Sequence, residues 1–153
     1  EGPVVTAAAD HPRTVIREKA PPRTRTLAAR LSDSTSASAR LAAILEIEES
    51  GQMNEKTVEL LTATLNHDGN TNVRLAALDV LSRYLYHPAV ANRLATALAT
   101  QDDPLVQLGL IKVVEPLEHR AVDSMLFALA NSPSTFAAVK DEAYAVLLRH
   151  NKL

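Results

Sequence analysis

The sequence predicts an all-α chain wound as a right-handed solenoid of about three and a half helical hairpins. Two observations carry this. The segment Asn72–Leu81 recurs in degraded form, so that Arg74 aligns with Arg40, Gln107 and Lys140 at steps of 34, 33 and 33 residues. A second apolar series, Leu31, Leu65, Leu98 and Leu129, keeps nearly the same period at steps of 34, 33 and 31. Two series in one period mean two helices per repeat, and a unit of this length can bury its apolar faces only by stacking on its neighbours.

A short helix near Leu27–Leu31 and a polar loop over 32–36 lead into a second helix from about Ala37 to Glu49, ended by Gly51. Asn54 caps the next helix, Glu55–Asn66, which breaks at His67-Asp68-Gly69-Asn70 before a helix from Thr71 or Asn72 to Tyr86. The third hairpin starts at Pro88, turns at Gln101-Asp102-Asp103 and restarts with Asp103 as cap and Pro104 at the first helical position. The fourth spans His119 or Arg120 to Ala130, a loop over 131–135, and a helix from about Phe136 or Ala137 to His150. Connections this short and polar join antiparallel neighbours.

At about 100° per residue, Val73, Ala76, Ala77, Val80, Leu81 and Tyr84 share one face. The repeats then give layers of one core: Ala39/Val73/Val106/Val139, Ala43/Ala77/Leu110/Ala143 and Ile47/Leu81/Val114/Leu147. With 3% aromatic residues and no Trp, that core is built from Leu, Ala and Val. The 153 residues divide into a basic, Pro-rich arm or linker over 1–26, with Val4-Val5 and Val15-Ile16 as apolar anchors against the body or a neighbouring molecule, and a repeat domain over 27–153.

Charge is uneven: residues 1–40 sum to +3 and residues 41–153 to −5. An acidic body poor in aromatics argues against nucleic acid as partner. The absence of Cys excludes disulfides, thiolate metal sites and a cysteine nucleophile. No run approaches the roughly 18 apolar residues of a membrane span, so no direct insertion of this segment is expected. A start at Glu1 without a signal-peptide pattern suggests a segment of something longer.

No catalytic, cofactor or metal site is expected. His87, His119 and His150 recur at steps of 32 and 31, but a repeat spacing of about 8–10 Å cannot bring such a column onto one ion with ligands about 2 Å away. Asp102, Asp103, Glu115 and Glu118 are explained as caps and helix-end charges. Nucleophile elbows, Gly-rich phosphate loops and zinc-binding His-Glu motifs are absent. Arg40, Arg74, Gln107 and Lys140 are expected to form a structural ladder, bonding loop carbonyls or Asp68 and Asp102. On the opposite stripe of the second helices, Leu41, Leu75 and Leu108 form an apolar column flanked by Asp79 and Lys112, with Asp141 at the fourth position. A column of this kind is either surface covered by the neighbouring helices or the arm, or an exposed strip, the candidate partner-binding site.

The string Asp68-Gly69-Asn70-Thr71-Asn72-Val73-Arg74-Leu75-Ala76-Ala77-Leu78 resembles the HEAT-repeat family over roughly residues 27–150. The third unit keeps the Asp turn and Val106 but has Gln107 at the Arg position; the fourth has Val139-Lys140 and no Asp in its turn. A narrower resemblance, in Leu65-Asn66 to Leu81-Ser82-Arg83-Tyr84 and Gln101 to Gln107, is to the C-terminal, extracytoplasmic HEAT-like domain of bacterial membrane-anchored, anti-sigma-factor-like proteins. These resemblances imply a non-catalytic protein-interaction scaffold without cofactors, a periplasmic setting and a protein partner. The competing expectations are a HEAT-like lyase or enzyme accessory subunit, and a homo-oligomerisation module dimerising through the arm.

Overall fold

A computed structural model describes residues 26–153, so the arm and its valine anchors lie outside the described residues except for Thr26. The described chain is all helical: α1 Leu27–Leu31, α2 Ala37–Ser50, α3 Glu55–His67, α4 Thr71–Ser82, α5 Pro88–Thr100, α6 Pro104–Val114, α7 Arg120–Asn131 and α8 Ala137–Arg149. Helix starts follow local chemistry. Thr26, Ser36, Asn54, Asn70 and Asp103 each accept a backbone N–H of the first turn through a side-chain oxygen. Pro88 and Pro104 stand inside the starts of α5 and α6, where no N–H is missed. Gly51 ends α2 at φ 61°, a conformation that costs glycine nothing.

α4 is four residues shorter than the sequence suggests. After Ser82 the chain winds on through i→i+3 bonds, Tyr84 N–H to Leu81 O and Leu85 N–H to Ser82 O, because Pro88 turns the residue before it away from helix.

The odd helices form one layer and the even helices the other. Each hairpin packs internally, while α3 touches α5, α5 touches α7, α2 touches α4, α4 touches α6 and α6 touches α8. This is the α-solenoid arrangement, with the first hairpin shortened by the five-residue α1. Eleven of the twelve layer residues are buried; Ala39 is half-buried, opposite the short α1. In the odd layer Leu65 and Leu98 are buried, whereas Leu129 is half-buried and Ala130 takes the core position. The reason is register, since Val90, Leu94 and Leu98 match Val122, Leu126 and Ala130 at a step of 32.

Leu41, Leu75 and Leu108 do not stand on an open stripe. All three are half-buried and packed against the core. A Cβ built on Gly109 of α6 would lie 3.0 Å from Leu78 Cδ2 and 3.4 Å from Leu75 Cδ2, both on α4. Leu75, about 200° from the core residue, therefore leans along the stack toward the next second helix while staying partly exposed. The small residues Ala76 and Gly109 occupy equivalent places and let the helices come close. In the fourth repeat, where no further helix follows among the described residues, Asp141 and Tyr144 hold the positions of Leu108 and Ile111 and are exposed.

Candidate functional site

The arginine series lies along the edge formed by the turns between first and second helices. Arg40, nearly buried at 8% exposure, donates through Nε and Nη2 to the two oxygens of Asp68 at 2.7 and 2.9 Å, and through Nη1 to Asp33 O at 2.6 Å. This side-on pairing is the strong, charge-assisted geometry of guanidinium with carboxylate, and the Asp68 hydrogen bond is the largest influence raising the Arg40 pKa. One turn further along the stack, Arg74 donates to Asp68 O at 2.5 Å, Gln101 Oε1 at 2.6 Å and Asp102 Oδ1 at 2.9 Å. That bond from Arg74 holds the Asp102 carboxyl below the ordinary carboxylate range. Beside it, the Thr71 hydroxyl donates to Asp103 Oδ2 at 2.5 Å and lowers that carboxyl too, against the opposing effect of burial.

Each arginine thus holds a carbonyl of its own hairpin's turn and a side chain of the next. Gln107 does only the first, donating to Gln101 O at 2.7 Å. Lys140 is half-buried, and its side chain makes no hydrogen bond or ion pair among the described residues. The sequence-derived ladder set therefore meets at two junctions, joining Arg40 to Asp68 and Arg74 to Asp102, and Lys140 stands apart. Asp79 and Lys112 are exposed, Asp79 pairing at 3.3 Å with Arg83, which caps the C-terminus of α4. His119 caps α7 through Nδ1, and the two ring nitrogens of His150 lie 2.9 Å from Asp123 Oδ1 and Glu115 O.

Exposed apolar residues gather elsewhere. The chain has two Phe and three Tyr, and Phe127, Phe136, Tyr144 and Tyr86 are all exposed. Three of these four belong to the last hairpin, where Leu148 is also exposed. Between the third and fourth hairpins, at the turn edge, a groove of about 640 Å³ is lined by Pro104, Met125, Leu129 and Phe136 on its apolar side and by Asp102 and Gln107 on its polar side. A second groove of about 540 Å³ shares Asp102, Pro104 and Phe136 and adds Leu105, which is 61% exposed. The sequence signal for these residues was available. In an aromatic-poor chain, Phe127 follows the core Leu126 directly and so falls off the buried stripe, and Phe136 precedes α8 rather than entering it.

A family model described as HEAT repeats matches residues 24–115. The chain belongs to the HEAT-repeat family. The match covers the first three hairpins and both complete arginine rungs, and HEAT repeats are generally protein-interaction scaffolds. Neither curated proteins nor solved structures yield a match. No helix of the described residues is long and apolar enough to cross a membrane.

Proposed function

We propose that this HEAT-repeat chain is a non-catalytic protein-interaction scaffold that receives its partner on the last hairpin and on the groove between the third and fourth. One observation carries the reading: three of the five aromatic residues lie on that hairpin and all three are exposed, one of them, Phe136, lining the groove together with Met125 and Leu129. Exposed aromatics on a rigid frame are the usual anchors of protein interfaces. Among the described residues, Asp102 is the groove's sole carboxylate and the lining has no His or Lys. Leu41, Leu75 and Leu108, half-buried, and Asp79 and Lys112, exposed, do not line this groove.

Selection of displayed peptides on the whole chain tests this. Selected binders should lose affinity for Phe136→Ser and Leu129→Glu variants that melt normally; binders indifferent to both changes would move the site elsewhere. The setting, the periplasmic tail of a membrane-linked bacterial signalling regulator, rests on the resemblance in 65–84 and 101–107. The gene sequence upstream of Glu1 decides it, since that setting requires a membrane span there.

A further inference from the structure

The arginine series stops at the third junction, where the groove opens. At the first two junctions a guanidinium reaches forward to the next turn: Arg40 to the Asp68 carboxylate, Arg74 to Gln101 and Asp102. At the third both halves of the contact are missing. Gln107 turns back to Gln101 O and leaves its Oε1 without a donor among the described residues, and the next turn has Ser132 where its predecessors have Asp68 and Gln101. The Ser132 hydroxyl instead pairs with that of Ser134 at 2.9 Å. Asp102, its side chain 85% exposed, lies on the groove wall with Arg74 on one side only.

We propose that this empty rung takes an arginine from a partner protein. The guanidinium sits between Asp102, Gln107 Oε1 and the Ser132–Ser134 turn, and an apolar side chain next to it in an extended segment rests on Leu129 and Phe136. This deepens the reading of the last hairpin as the partner surface and rests on it. Arginine rather than lysine fits because the rung is filled by a planar, forked donor at both other junctions. The acidic body, −5 over residues 41–153, favours approach of a basic segment.

The test is a titration of the isotope-labelled full chain with a blocked Gly-Leu-Arg-Leu-Gly peptide and with its citrulline counterpart, which keeps the shape and loses the charge. Shifts should centre on the Gln107 side-chain amide, Ser132, Ser134 and Leu129, with the citrulline peptide about tenfold weaker, as expected when a charge-assisted hydrogen bond becomes a neutral one. Asp102→Asn, at a site exposed enough to leave the fold intact, should abolish that preference. Gln107→Arg with Ser132→Asp should build the rung internally, raising Tm and weakening the arginine peptide at least about tenfold. Equal binding of the two peptides overturns the arginine rung but leaves the partner surface standing if shifts still map to Leu129 and Phe136. No shift with either peptide also overturns the rung, and the display selection then judges the surface by itself.

Discussion

Replacing Arg40 by Ala should be the most damaging single change to this fold at a side chain outside the apolar core. The side chain is 9% exposed and its partner Asp68 5%, so the pair is out of water and Asp68 has no solvent to fall back on. Removing one member of a buried pair costs about 3–5 kcal/mol, chiefly by stranding the other charge. Asp68 keeps one donor, the Asn70 N–H at 2.9 Å on Oδ1, which places the loss near the low end, about 3 kcal/mol. Against a domain stability of about 5–15 kcal/mol this is large, and for a chain of this size it lowers Tm by about 10 °C. Because Arg40 links the first hairpin to the second, hydrogen exchange should rise first in α1 and α2. Urea denaturation of Arg40→Ala, Asp68→Asn and Arg40→Met with Asp68→Leu gives the decisive comparison. The apolar double change should recover most of the loss. A loss below about 0.5 kcal/mol in Arg40→Ala, the range of ordinary surface changes, would refute the account of a buried, stranding-sensitive pair.

Three further outcomes follow from the same geometry. Arg74→Ala should cost less, about 1–2 kcal/mol by thermal melting, because Asp102 is exposed and Gln101 Oε1 keeps the Asp103 N–H as donor. Asp103 has its folded pKa lowered, so its charge stabilises fully above the unfolded value of about 3.9 and the contribution fades as pH falls through the lower folded value. The Tm gap between wild type and Asp103→Asn, which retains a capping side chain, should be constant above about pH 5 and close below about pH 4. At Gly109, Ala should be near neutral, since about 1 kcal/mol of helix propensity offsets the 3.0 Å approach to a movable Leu78 methyl, whereas Leu should cost at least about 1–3 kcal/mol by urea unfolding and loosen α4 from α6.

The stack was legible in the sequence because its determinants are local and periodic. Asn54, Asp103, Pro88, Pro104 and Gly51 mark helix ends by their own chemistry, and the Val and Ala layers repeat in register. The Leu41, Leu75 and Leu108 column was visible, but its surroundings were not. A helical wheel separates core from not-core and cannot tell solvent from the flank of the next helix. Asp141 makes sense only once that flank is known, as the polar residue at the one copy of the position that no later helix covers among the described residues. The groove at Leu129 and Phe136 was hidden for a related reason. Its lining comes from two hairpins, Pro104 and Gln107 on the third and Met125, Leu129 and Phe136 on the fourth, and their proximity depends on a distance that spacing does not encode.

The third junction is fastened on one edge only. Away from the turns, Arg149 of α8 donates to Glu115 beyond α6, and His150 bridges Glu115 O and Asp123. At the turn edge nothing replaces the guanidinium that stiffens the earlier junctions. Among the described residues, the polar side-chain contacts that tie the last hairpin to the third therefore gather on one edge, and whatever fills the gap at the turns would add a second fastening as well as occupy the surface.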